Sequence, residues 1–166
     1  MSHDTHSALS VAEYVLNKGR ESDINFTPMQ VIKLVYLCHG WMLGLLGRPL
    51  IDEEIEAWRY GPVVPSVYHA VKKYRSEPIP LDEKLSIGIE TFDSDEKLIM
   101  DQVVNLYKGF NGLQLSQLTH ESGTPWSQIW EEFGQNWTIP NGLITKHFSQ
   151  LAHTRSSQQQ TRAAAQ

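Results

Sequence analysis

Apolar residues recur along most of this chain at steps of three and four, and the strongest such run predicts a long helix. In "TPMQVIKLVYLCHGWMLGLLGRP", Thr27 stands where a cap belongs, Pro28 at the first helical position and Gln30 at the third, the signature of a reciprocal capping box. Val31, Leu34, Val35, Cys38, Trp41, Met42 and Leu45 then form one stripe, which Ile32 and Leu37 widen and Gly47 and Pro49 stop. A stripe this broad belongs to a helix covered on most sides, so the element is expected at the centre of the fold. A shorter helix is expected before it, opened by Ser10 with Glu13 and ended by Gly19.

After residue 50 the period changes. Ile51, Ile55 and Ala57 alternate with acidic neighbours, which predicts an extended segment or hairpin arm over residues 50–60. Gly61 before Pro62 favours extended backbone, and Pro65 opens a helix striped by Val67, Tyr68, Val71 and Tyr74. Leu85, Ile87 and Ile89 alternate as well, so residues 85–91 are a candidate strand partner for 51–58. Further helices are expected from Ser94, from Ser116, from Thr124 with Pro125, and across "NGLITKHFSQL", where Leu143, Ile144, His147, Phe148 and Leu151 share a face. The closing "RSSQQQTRAAAQ" has no large apolar residue and is expected to be disordered. The sum is a mainly α fold: one compact domain over residues 10–152, with about six or seven helices around a long central one. A flexible lead (1–9) and a disordered tail (153–166) are expected to flank it.

Composition supports a packed core, with 40% apolar residues and five tryptophans in 166 positions. The single cysteine, Cys38, allows no internal disulfide and no thiolate metal cluster, which favours a reducing cytoplasm. No basic-then-apolar leader and no unbroken apolar run of membrane length occurs, so a soluble protein is expected. A formal charge of −5 is the wrong sign for neutralising phosphates, and no direct nucleic-acid binding is expected; acidity suits a partner with a basic working face.

Catalytic signatures are missing. There is no H-E-x-x-H, no C-x-x-C, no nucleophile elbow and no phosphate-cradling glycine loop, so no catalytic residue, metal or cofactor is expected. His39 shares the long helix with its apolar stripe and reads as a core histidine. His120 and Glu121 are adjacent, and neighbouring helical residues point about 100° apart, which disfavours a shared site. Two features remain. Asp52, Glu53, Glu54 and Glu56 form an acidic run, a solvated rim or a contact for a basic partner. Trp58 and Tyr60, in a loop stiffened by Gly61, Pro62 and Pro65, can fill a core or anchor an interface.

These residues carry a resemblance. "KLVYLCHGWMLGLLGRPLIDEEIEAWRYGPVVPSVYHAVKKY", followed by "LTHESGTPW" and "IPNGLITKHF", resembles the Panacea domain, the SocA-like antitoxin family of bacterial and phage toxin–antitoxin pairs, over roughly residues 10–151. The resemblance implies a mainly helical antitoxin that binds a cognate protein toxin, encoded beside it, and suppresses it by direct contact; some members hand their toxin to an AAA+ protease. The family's motif falls on Lys33, Tyr36, His39, Gly40 and Trp41, then Glu56, Ala57, Trp58, Tyr60, Gly61, Pro62, Val63 and Tyr68, then Thr119, His120, Glu121, Pro125 and Trp126. Asp52, Glu53, Glu54, Glu56, Trp58 and Tyr60 are the expected toxin contacts. Two rivals stand beside this reading: a proteolytic adaptor using a flexible tail, and an enzyme gathering His120, Glu121 and Tyr60 in a cleft.

Overall fold

The computed structural model describes residues 4–86 and 91–164. In chain order the elements are α1 (Ala8–Glu21), α2 (Pro28–Leu46), β1 (Glu56–Trp58), β2 (Gly61–Val63), α3 (Pro65–Val71), α4 (Ser94–Tyr107), α5 (Gly112–His120), α6 (Pro125–Phe133) and α7 (Asn141–Ala164). The mainly α architecture expected from periodicity is what forms, and α2 is its axis. Against α2 pack α1, α4, α5 and α7, and α3 and β2 touch it as well. By length and composition α2 could cross a bilayer, but its apolar residues, from Val31 to Leu43, are buried among these neighbours.

The α2 start is as the sequence predicts: Thr27 accepts from the Gln30 amide while the Gln30 side chain accepts from Thr27, and Gly47 closes the helix in the left-handed region (φ 69°). The start of α1 differs. Its cap is Ser7, one turn ahead of Ser10, and Ala8 and Leu9 are already helical rather than part of a loose lead. The cause lies far away in sequence. Glu53 Oε2 accepts from the Ala8 amide (2.6 Å) at the positive end of α1, and His6 pairs in parallel with Ile51 through two backbone hydrogen bonds, to the Leu50 carbonyl and from the Asp52 amide. The His6 ring also meets Glu96 Oε2 at 2.9 Å and packs on Phe92, which ties this segment to α4. Glu13, relieved of capping, accepts from the Leu85 and Ser86 amides instead.

The extended segment becomes a two-stranded hairpin. β1 and β2 pair antiparallel, with Glu56 opposite Val63 and Trp58 opposite Gly61, so Arg59 and Tyr60 form the tip. The second edge of β1 is also occupied: the Ala57 amide donates to the Trp137 carbonyl, the Asn136 amide to Ala57, and the Ile139 amide to Ile55. That leaves no edge for residues 85–91. Leu85 and Ser86 are held by Glu13 outside any strand, and Ile87 and Ile89 lie outside the described residues.

Later boundaries shift by local chemistry. Asp93, not Ser94, caps α4, and Asn111 caps α5 in a box with Gln114, which puts Ser116 inside the helix rather than at its start. Thr124 and Pro125 open α6 as expected. The final helix does not stop near Leu151 but runs to Ala164, so the segment expected to be a disordered tail continues α7. The adaptor reading needs a flexible end, and this segment is helical as far as Ala164.

Candidate functional site

Alternate backbone carbonyls of the hairpin, at residues 58, 60 and 62, each receive a buried or half-buried donor from a different helix. Trp126 Nε1 on α6 donates to the Trp58 carbonyl (2.6 Å), Ser116 Oγ on α5 to the Tyr60 carbonyl (2.6 Å), and Lys33 Nζ on α2 to the Pro62 carbonyl (3.0 Å). The Pro62 carbonyl is buried and would otherwise go unsatisfied at a cost of about 1–3 kcal/mol, while the donors to Trp58 and Tyr60 add ties at the half-buried end of the turn. Three helices therefore lock one turn.

Lys33 is the unusual member. Its side chain is 1% exposed, and burial lowers its amine from the ordinary 10.5 to about 7. Gly61 explains how it fits: with φ at 117°, the backbone comes so close that a Cβ there would lie 3.0 Å from Lys33 Nζ and 3.1 Å from Thr119 Oγ1. Thr119 itself is satisfied within α5, donating to the Leu115 carbonyl (2.8 Å). Ala57, Pro62 and Val63 are buried around this knot.

A second knot lies further along α2. His39 Nδ1 accepts from the Leu50 and Ile51 amides (3.3 Å each), which leaves the ring proton on Nε2 to donate to Asn141 Oδ1 (3.0 Å). Burial pushes its pKa down, favouring the neutral ring this geometry requires. His39 thus clasps the chain after α2 to the start of α7. Gly40 lets Phe148 of α7 pack on the helix backbone, and Tyr36 and Trp41 meet the same phenyl ring edge-on at 5.8 and 5.2 Å. Trp41 Nε1 donates to Tyr107 of α4.

The expected contact residues divide by environment. Glu53 is used internally, on Ala8 and on the Ser66 hydroxyl, and Glu56 accepts from Trp58 Nε1 (2.9 Å). Trp58 is half-buried, edge-on to Tyr68 at 4.9 Å, and belongs to the wall of the core. Tyr60 is 57% exposed at the tip, with the Arg59 guanidinium over its ring, and Asp52 and Glu54 are exposed. A cavity of about 370 Å³ opens beside the acidic run, between Asp52, Glu54, Thr138 and Asn141. His120 shares a hydrogen bond with Ser116 Oγ and stacks edge-on against Trp126, while Glu121 is an exposed helix end. Pro125 sits at the first turn of α6.

The family model for the SocA-like antitoxin, Panacea domain, matches residues 31–127, the span that holds α2, the hairpin, α5 and Trp126. The chain belongs to the SocA-like Panacea family of antitoxins. Antitoxin SocA of Caulobacter vibrioides (strain NA1000 / CB15N) is 30% identical over 137 residues, covering 78% of this chain and 73% of that protein. No solved structure matches. In this Panacea domain the motif residues are mostly architecture: Lys33, Gly61, Thr119 and Trp126 converge on the hairpin, and Tyr36, His39, Gly40 and Trp41 bind α2 to α7 and α4.

Sequence reasoning missed Ser116, whose hydroxyl is one of the three donors, and the exposed ring pair of Phe133 and Trp137. Phe133 was within reach of periodicity, since it lies seven residues after Trp126 on the same helix stripe. Ser116 carried no such signal.

Proposed function

We propose that this Panacea domain neutralises a protein toxin by direct contact, with the hairpin tip forming part of the contact surface, and that it performs no catalysis. Family membership supports the antitoxin role. The observation that carries direct contact is the fixed hairpin: with carbonyls 58, 60 and 62 tied to three helices, Tyr60 stands exposed on a backbone that has little left to lose on binding. A preorganised aromatic anchor contributes affinity without an ordering cost, and exposed Asp52 and Glu54 raise the encounter rate with a partner of opposite charge. Nothing in this role asks for turnover, and His120 is already engaged by Ser116 and Trp126.

The test is co-expression with the product of the neighbouring open reading frame, followed by growth measurement and affinity purification. Restored growth with a stoichiometric complex is expected; persistent growth inhibition with no complex refutes the reading. At residue level, Tyr60→Ala combined with Glu54→Lys weakens the complex with little change in Tm, because both side chains are exposed. Trp58→Ala is a poorer probe, since its ring also supports Tyr68.

A further inference from the structure

From Gly109 to Thr145 the chain contains no lysine or arginine, and its carboxylates there are Glu121, Glu131 and Glu132. Within that stretch α6 starts buried, at Trp126 and Ile129, and ends on Phe133, which is 47% exposed. The chain turns at Gly134 (φ 85°) and returns along β1, where Trp137 is 55% exposed. The two rings pack on each other, centroids 5.1 Å apart and 36° from parallel.

The inner positions of the same stripe are filled by Trp126, Ile129 and Trp130, and the outer pair lies outside the core cluster. Two large aromatic rings left half in water on fixed backbone offer a surface that another molecule can cover. The backbone is fixed: Ala57 and Trp137, Asn136 and Ala57, and Ile139 and Ile55 are joined at 2.7–2.9 Å. Exposed carboxylates lie close by in the chain. Glu131 and Glu132 are exposed on α6, and exposed Glu54 accepts from the Thr138 hydroxyl (3.1 Å), one residue beyond Trp137. Arg59, at the hairpin tip, is occupied over Tyr60.

We infer that Phe133 and Trp137, with Glu131, Glu132 and Glu54, form a docking patch for a cationic protein surface that lays arginine or lysine side chains against the rings. Guanidinium and ammonium groups are attracted to aromatic faces and pair with carboxylates, so one cationic surface wide enough to span the end of α6 can meet both kinds of group. A second copy of this chain is disfavoured as occupant, because it would bring the same carboxylates to the interface. The inference rests on the toxin-binding reading, places the contact on α6 and the return strand, and names the chemistry of the toxin's face.

The dissociation constant for the co-expressed toxin is measured at rising salt for wild type, for Phe133→Ala with Trp137→Ala, and for Glu131→Lys with Glu132→Lys. Both double variants are expected to weaken binding about tenfold or more. The charge reversal should also flatten the salt dependence, while Leu113→Ala, an exposed change on α5, stays within about twofold. Should the aromatic double variant fail to fold by circular dichroism, the charge reversal, wholly on the surface, carries the test. If wild type does not bind the toxin, the direct-contact reading falls and this inference with it. If wild type binds and the folded variants bind equally well, the patch is refuted while direct contact stands. Variants that change only self-association would make the patch a homotypic interface and overturn the inference.

Discussion

Replacing Lys33 with methionine removes a buried amine while keeping most of its stem volume. In the folded chain that amine titrates at about 7, against 10.5 when unfolded. The folded value is depressed, so between about pH 7 and 10.5 the unfolded chain holds more protons and wild-type stability rises with pH. Carried through the linkage relation, the penalty is about 4 kcal/mol at pH 7 and about 2 kcal/mol at pH 9. Against its removal stands the Pro62 carbonyl, which loses its donor at a cost of about 1–3 kcal/mol. Lys33→Met should therefore be more stable than wild type by about 1–3 kcal/mol at pH 7, and the gain should shrink by about 2 kcal/mol by pH 9. Urea unfolding of both proteins at pH 7, 8 and 9, followed by circular dichroism, reads this directly, and comparing variant with wild type cancels every other titrating group. A stability difference that does not change with pH would show that Lys33 is not held near neutrality by burial.

Two further outcomes follow from the same packing. Gly61→Ala should cost about 1–3 kcal/mol, seen as a lower Tm, because the new Cβ meets Lys33 Nζ and Thr119 Oγ1 at a backbone angle of 117° that alanine rarely adopts. Cys38 is fully buried and burial pushes its thiol well above the usual range, so a disulfide reagent such as DTNB should leave the native protein unlabelled at pH 8 and modify it only in denaturant.

Much of the helical skeleton was legible because capping and periodicity are local. Thr27, Pro28 and Gln30 announce α2, and Thr124 with Pro125 announces α6, using residues within one turn of each start. What was not legible depends on distant partners. The cap of α1 moved to Ser7 because Glu53 and Ile51 arrive from across the fold, and β1 took residues 136–139 as its second partner rather than 85–91. The hairpin itself was readable from alternation and Gly61-Pro62, yet its three anchors, Lys33, Ser116 and Trp126, sit on helices far apart in sequence. The acidic run read as one feature because its members are adjacent. In the fold Glu53 and Glu56 turn to internal donors, and only Asp52 and Glu54 are exposed. The closing segment lacks large apolar residues, but a helix already nucleated at Asn141 extends through residues of good helical propensity such as glutamine, arginine and alanine.

Direct contact, as proposed above, requires this antitoxin to lodge against its toxin. Calorimetric titration of the purified toxin with this protein, alongside a toxicity assay across the same ratios, tests it most directly. A saturable complex is expected whose stoichiometric point coincides with loss of toxin activity, with a weaker complex and matching loss of protection for Tyr60→Ala with Glu54→Lys. Full protection at ratios where no complex forms, or at catalytic amounts of this protein, would contradict it.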